Sequence, residues 1–327
     1  MVDDGSTDRT FAIAREFESD QVRVVANARQ GAAATRNEAL SLSRGQYIQY
    51  LDADDLLAPD KISRQMEVAK QSSGQRTLLS GSWGEFVYRF HRAKFSPTPL
   101  WRDLSPVDWL ICKMRLGVFM QPGAWLVSRE LAEAAGPWDT RLLGDDDGEY
   151  FCRVLLASDG VRFVPESRTY YRRSGVSSLS YIGLSDSKME AHLRSMQLHI
   201  THLRSTEDSQ RVREACIAYI QNWLPFFHPN RPDLVQRAKE MAASLGGTLQ
   251  TPQLSRKLAL FSAFLGVQKA KRVQASFVRV RWSLIRFWDK ILFQLEGRKT
   301  RASHSFSVSI LTGQSHERHL RASSSAR

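Results

Sequence analysis

Three short runs of the sequence concentrate carboxylates. Asp3-Asp4-Gly5-Ser6-Thr7-Asp8 comes first. Acids at the carboxyl end of a strand face the crevice where open α/β sheets bind ligands. There a carboxylate accepts hydrogen bonds from a nucleobase imide or a ribose hydroxyl. The same residues also make a capped turn, with Gly5 supplying φ > 0 and Ser6 or Asp8 capping a helix. Leu51-Asp52-Ala53-Asp54-Asp55 places three carboxylates in four residues behind an apolar run. These repel one another unless a cation compensates, and acids two apart can aim at one hard cation, Mg2+ or Mn2+, that also holds phosphates. The other use of such a run is a solvated acidic turn. Gly144-Asp145-Asp146-Asp147-Gly148-Glu149 opens an apolar helix that continues through Tyr150, Phe151, Val154 and Leu155. A helix N-terminus tolerates acids; the chemical reading makes one of them a general base toward an attacking hydroxyl. Two basic pairs, Arg36-Asn37 and Arg172-Arg173, suit either phosphate binding or the surface.

The elements that position these residues alternate in type. Thr10–Ser19 carries Phe11, Ile13, Ala14 and Phe17 at helical spacing. Val22–Ala26 predicts a strand, Gly31–Leu42 an Ala-rich helix, Gln46–Leu51 a strand ending at Asp52, and Ala58-Pro59-Asp60 the start of a helix through about Lys70. Leu78–Tyr88 and Ala124–Val127 predict strands, Asp145–Leu156 a helix, and Val161–Val164 and Thr169–Arg172 two separate strands. Met189–Ala243 is helical in pattern, with breaks at Pro225, Pro229 and Pro232, and so is the basic, aromatic stretch Arg256–Gly297. The pattern is that of an open α/β sheet with its site at the carboxyl edge. It divides the chain into 1–188, a helical extension 189–253, a basic amphipathic segment 254–300 and a disordered tail 301–327.

Composition limits the function classes. The 327 residues are 42% hydrophobic and 24% charged, as in a folded globular chain, with a net charge of +12. Residues 254–327 hold 15 Lys+Arg against 3 Asp+Glu and so carry the whole excess; residues 1–253 are balanced at 31 of each. The body is neutral and shows no nucleic-acid module, so nucleic acid is not the expected partner. Cys112, Cys152 and Cys216 lack CxxC spacing, which fits core thiols in a reducing cytosol. No basic-then-apolar leader opens the sequence. The longest charge-free apolar stretch, near Leu258–Val267, is far short of the ~18–20 residues that span a bilayer.

Taken together, in this order and spacing, the four constellations resemble the family-2 glycosyltransferases over roughly residues 2–180. VDDGSTD is similar to their nucleotide-binding turn, GAAATRNEAL to the helix that follows it, and LDADD to their Asp-x-Asp metal motif. Gly136-Pro137-Trp138-Asp139 followed by DDDGEYFCR is similar to their Gly-aromatic-Asp element and acidic helix. The resemblance implies an α/β fold: a GT-A type open mixed sheet flanked by helices, with a helical C-terminal extension. It assigns Asp3 and Asp4 to base and ribose, and Arg36 to the nucleotide's vicinity. It assigns Asp52 and Asp54 to the diphosphate through Mn2+ or Mg2+, Asp54 as the more direct ligand. Counted back from Arg153, Asp147 takes the position of the base and Asp146 the acid before it. The implied reaction is inverting transfer of a sugar from a nucleotide-sugar donor to a glycan or lipid-linked acceptor, in bacterial surface polysaccharide or glycolipid synthesis. Trp125 and Trp138 suit sugar stacking or, more simply, the core.

The sequence departs from the family in two places. A strand–helix unit of about 35 residues normally precedes the Asp-Asp-Gly turn. Its lack implies an N-terminally truncated domain with exposed strand edges and apolar surface: either Met1 is not the natural start or the chain is a degraded copy. Where many relatives place a metal-binding His, this chain has Ser174 or Gly175, so Arg172 or Arg173 is expected to share the phosphate. Residues 269–299 interleave cations with Phe277, Trp282, Ile285, Trp288 and Phe293. They suit either a helix packed on the catalytic domain or one lying in an anionic membrane interface. The expected location is the cytoplasm, with peripheral contact on the inner face of the membrane. An inactive GT-A remnant serving as a binding or scaffold protein is the alternative.

Overall fold

The computed structural model describes residues 1–28, 31–71, 76–175, 181–182, 185–252, 266, 269–270 and 273–296. Expectations for 254–265 and for the tail after 296 lie outside the described residues.

The N-terminal part opens with β1 (Val2–Asp3), α1 (Thr10–Arg15), β2 (Val25–Ala26) and α2 (Ala32–Leu42). β1 and β2 pair in parallel. No residue of α1 is buried, and Ile13 and Phe17 stand 46% and 64% exposed. α2 starts at Gly31, whose φ of 115° suits glycine, and its buried Ala33 and Ala34 let it lie close to the layer beneath.

Next come β3 (Tyr47–Ile48), β4 (Leu56–Leu57), α3 (Lys61–Gln71), β5 (Thr77–Phe86), β6 (Lys94–Phe95), α4 (Pro106–Leu116), β7 (Val127–Ser128), α5 (Arg129–Ala135), α6 (Asp146–Ala157) and β8 (Gly160–Arg172). The largest sheet runs β4-β8-β5-β6, with β5 and β8 parallel and both edges antiparallel. β3 pairs antiparallel with β7, and a bridge from Leu79 to Leu126 ties that pair to β5. The sheet is therefore mixed, and helices flank it.

Two strands expected at 161–164 and 169–172 are one strand, β8. It bulges at Pro165–Ser167, where the register jumps from Gly81–Val164 to Ser82–Arg168. Ser82 Oγ donates to the Pro165 carbonyl at 2.7 Å, and the Ser167 carbonyl fills the space a Cβ on Gly81 would need. Proline and the bulge interrupt the apolar alternation without ending the strand. α4 and α5, which no periodicity signalled, are set by Ser105 and Ser128 as N-caps.

The extension is α7 (Asp186–Thr206), α8 (Gln210–Phe227) and α9 (Pro232–Ser244). Pro225 does not break α8, which runs on to Phe227. α7 packs on α6, and α8 on α4. One core cluster joins Tyr50, Trp125, Trp138, Tyr150 and Phe151 to Leu193, Ile220 and Leu234, so sheet domain and extension share a single core. Cys152 and Cys216 lie in it as free thiols. Trp125 stacks on Phe151 and Trp138 on Tyr150; both tryptophans are core residues. Among the described residues no helix is long and apolar enough to cross a membrane.

Candidate active site

Three of the four sequence constellations meet at one guanidinium. Arg36, on α2, donates through Nη2 to Asp52 Oδ1 and through Nη1 to Asp146 Oδ2, each at 2.8 Å. Its Cζ stands 4.6 Å from the ring centroid of Trp138. Arg36 and Asp146 are each only 17% exposed, so that pair is shielded from water and salt, whereas Asp52 is 36% exposed. The neighbouring Asn37 holds the geometry. Its Nδ2 donates to the Trp138 carbonyl at 3.0 Å, and its Oδ1 accepts from the Trp138 N–H at 2.8 Å. Arg36-Asn37 thus works as a unit, one side chain binding acids and the other locking α2 to the turn before α6. Below them Tyr50 meets Trp138 edge-on, and its hydroxyl lies 3.1 Å from that of Tyr150.

Asp147 follows in the first turn of α6, where Gly148 N–H donates to its Oδ1 at 2.9 Å. Burial, then the adjacent Asp146 and Asp145, push its carboxyl up to about 7, against the pull of Arg36 and Lys113. Burial also raises Asp146, opposed by Arg36. A carboxyl tuned near neutrality is suited to take a proton from a hydroxyl.

The acidic loop after β3 is stitched to the end of β8. Asp55 Oδ1 accepts from the Arg172 backbone N–H at 2.8 Å, Arg172 Nε donates to the Asp54 carbonyl, and Arg172 Nη1 to that of Val87. Burial pushes the Asp55 carboxyl up to about 7 despite the Arg172 N–H. Ser174 Oγ donates to Asp54 Oδ2 at 2.8 Å, so serine has taken up a contact with the very carboxylate expected to ligate metal. Arg173 is drawn off: it pairs with Glu85 at 3.1 Å and lies over Trp282.

Asp3 and Asp4 sit at the exposed end. Asp3 Oδ2 accepts from the N–H groups of Gly5 and Ser6, and the Ser6 bonds hold its carboxyl below the usual range. Asp4 accepts from Gly31 N–H and Asn27 Nδ2, fixing the start of the helix that carries Arg36. The structure thus brings Arg36, Asp52, Asp146 and Asp147 together. Asp54 and Arg172 lie on the adjoining loop, Asp3 and Asp4 at the head of α2, and Arg173 beside the C-terminal helix.

Among the described residues no group of three or more His, Cys, Asp or Glu converges as a metal cage. Mg2+ and similar cations are commonly held by one or two carboxylates plus substrate phosphates. Asp52 Oδ2 and Asp54 Oδ1 accept no hydrogen bond among the described residues, so two hard oxygens remain for such an ion. The donor set fits a cation shared with a diphosphate.

Comparison with known proteins bears on the family and the fold. The family model for glycosyl transferase family 2 matches residues 1–132. An uncharacterized glycosyltransferase of Haemophilus influenzae is 37% identical over 75 residues, 22% of this chain and 30% of that protein. A putative teichuronic acid biosynthesis glycosyltransferase of Bacillus subtilis, TuaG, is 38% identical over 76 residues, with the same shares. The chain thus spans under a third of the length of these relatives. In structure it resembles S. aureus TarS 1-349 in complex with UDP-GlcNAc, with a TM-score of 0.59 at 12% identity over 85% of this chain and 81% of that one. At that identity the likeness speaks for the fold, which is GT-A. Over its N-terminal 132 residues the chain is similar to glycosyl transferase family 2.

Proposed function

We propose that the protein transfers a sugar from a nucleotide-diphosphate donor to an acceptor hydroxyl, with inversion at the anomeric carbon. The observation that carries the reading is the Arg36 bridge, which places the acidic loop beside Asp146 and leaves Asp147 with a proton affinity near neutral. Asp147 Oδ takes the proton of the acceptor hydroxyl. The acceptor oxygen bonds to the anomeric carbon from the face opposite the donor's phosphate, and the bond from that carbon to the diphosphate oxygen breaks. Arg36 keeps Asp146 and Asp52 from repelling each other and from competing with Asp147 for the proton. Asp52 and Asp54 would hold Mn2+ or Mg2+, which supplies charge neutralisation on the departing nucleoside diphosphate. Asp3 and Asp4 serve base and ribose, and Arg172 the phosphates. A wired, half-buried cluster of this kind favours a working transferase over an inactive remnant.

The acceptor we infer is a glycan or lipid-linked glycan in bacterial surface-polysaccharide synthesis, met at the inner face of the cytoplasmic membrane. Residues 273–296 support that setting. They form a helix whose Asp289 and Glu296 pair with Arg89, while Phe277, Trp288 and Leu295 stand 77%, 60% and 48% exposed. Asp289, Arg286 and Trp282 face the protein, while Phe277, Trp288 and Leu295 point away from it, an arrangement that suits an in-plane interfacial helix.

The test is a panel of UDP- and GDP-sugars with Mn2+ or Mg2+, measuring nucleoside diphosphate release with and without glycan acceptors. Release that disappears in Asp147→Asn supports the reading; release unchanged in that variant overturns it. Co-sedimentation with phosphatidylglycerol vesicles tests the setting. Trp288→Glu with Phe277→Glu should abolish it, and equal binding to neutral phosphatidylcholine vesicles would contradict it.

A further inference from the structure

Immediately before the acids of the site stands Asp145, at φ 56°, the non-glycine residue in the left-handed region among those described. An L-residue pays a strain cost there unless its surroundings over-determine it. The surroundings come from the helical extension. Asp145 Oδ2 accepts from Ser195 Oγ on α7 at 2.6 Å and from Tyr219 Oη on α8 at 3.4 Å. One turn beyond Ser195, His199 Nε2 lies 3.0 Å from Lys113 Nζ on α4, and His199 Nδ1 lies 2.9 Å from the Ser195 carbonyl. An ammonium only donates, so Nε2 accepts, Nδ1–H donates to the carbonyl, and the ring is neutral. Burial, with Lys113 adding, pulls the His199 pKa down to about 4, which agrees. Asp145 Oδ1 fills the space a Cβ on residue 148 would take, so Gly148 is required by the placement of this carboxylate.

Ser195 and His199 are fully buried. Their influence passes to the site through Asp145, whose carbonyl accepts from Glu149 N–H at 3.1 Å and so sets the first turn of α6. That turn aims Asp146 at Arg36 and carries Asp147. Charge acts along the same line. Against burial, the Lys113 cation and the Ser195 hydroxyl hold the Asp145 carboxyl below its usual range, so it is an anion beside the base. The charged and titratable groups facing Asp147 are Asp145 and Asp146 on its own helix, Arg36 from α2, Lys113 from α4 and Tyr219 from α8. Those facing Asp145 are Lys113, His192, His199, Tyr219, Asp146, Asp147 and Cys152.

We propose that Asp145 is a positioning residue for the catalytic base, clamped in its left-handed conformation by Ser195, Tyr219 and the Lys113–His199 pair behind them. The helical extension is then a support for the chemistry as well as a shared core. Asp145 and Lys113 act on the proton affinity of Asp147 in opposite senses, the anion raising it and the cation lowering it. This inference rests on reading Asp147 as the base.

The test uses the full chain. The Asp147 carboxyl is followed by 13C NMR in aspartate-labelled protein, its resonance assigned by its loss in Asp147→Asn. Asp145→Asn should lower the Asp147 titration midpoint by about 1 pH unit, and Lys113→Met should raise it by a similar amount. The acid limb of the kcat/KM profile should move with it. Ser195→Ala, which removes one hydrogen bond, and Gly148→Ala, which displaces the Asp145 carboxylate, should each lower kcat roughly tenfold with donor KM unchanged. Midpoints that stay fixed, or that move the same way in both charge variants, would overturn the proposal. So would full kcat in both Ser195→Ala and Gly148→Ala. The NMR arm needs no substrate. If Asp147→Asn kept full transfer activity, the base reading would fall while the opposed titration shifts would still report the network.

Discussion

The tripeptide Asp-Asp-Gly occurs at 3–5 and again at 146–148, and the two copies have opposite chemistry. The first lies in an exposed turn. Backbone N–H groups aim at Asp3, its carboxyl is held low, and it stays an anion through the physiological range. The second opens a helix whose next residues, Glu149 and Tyr150, are buried. Asp147 there meets two neighbouring carboxylates and a low-dielectric wall, and its carboxyl is pushed up to about 7. Residue type sets what a site can do, whereas burial and neighbours decide which copy stays an anion and which holds its proton near neutral pH. Arg36 is what makes the second copy tolerable. Without it Asp52 and Asp146 would repel across the cleft.

The largest expected separation between the copies is in turnover. Asp147→Asn keeps the shape and removes the base, and should lower kcat by about 10²–10⁴ with little change in donor KM. Asp3→Asn should do the reverse, raising donor KM by about tenfold and leaving kcat within a factor of a few. Steady-state kinetics on the two variants would break the comparison if both changed the same parameter. Next in size is Arg36→Gln. It strands the half-buried Asp146 without its cation, a change that costs about 3–5 kcal/mol when a buried ion pair loses one partner. The exposure of Asp52 at 36% places the loss at or below the lower end. Thermal melts should show it, and Arg36→Gln with Asp146→Asn should recover part of the loss.

The candidate site was legible because its residues are close in sequence to the turns that present them. Asp52, Asp54, Arg36 and Asp146-Asp147 each stand at the end of a strand or the first turns of a helix, and spacing alone finds such places. Support from far along the chain was not legible. Ser195 and His199 sit four apart on the apolar stripe of α7, and only folding shows that they face Asp145, 50 residues earlier. Two polar residues on a buried stripe were the available signal. α3 inverts the usual rule: its fully buried members are Lys61 and Gln65, which donate to the Trp125 and Ala124 carbonyls, and burial pulls the Lys61 pKa down to about 7. Hydrophobic periodicity cannot anticipate a polar face satisfied by carbonyls of a distant turn. β8 was misread as two strands for a local reason, the Pro165 bulge.

The smallest expected effect, and the sharpest on the contrast, is in stability against pH. The folded carboxyl of Asp147 titrates near 7, above its unfolded value near 3.8, so it favours the native state fully below pH 4. That contribution is lost as pH rises through 7, because ionising a half-buried acid beside other carboxylates disfavours the fold. Asp147→Asn has nothing to ionise. It should match the parent at pH 4 and exceed it at pH 8 by roughly 1–4 kcal/mol, a few degrees of melting temperature. Asp3 carries the opposite sign. Its folded carboxyl titrates below 3.8, so its contribution is present at neutral pH and fades as pH falls through that lowered value. Asp3→Asn should therefore melt slightly lower than the parent at pH 6 and together with it at pH 2. Melting curves across pH 4–8 for the first pair, and at pH 6 and 2 for the second, would show one copy of Asp-Asp-Gly gaining stability and the other losing it. Both variants shifting in the same direction at neutral pH would mean that the two carboxylates share one environment, against the opposed shifts of their carboxyls.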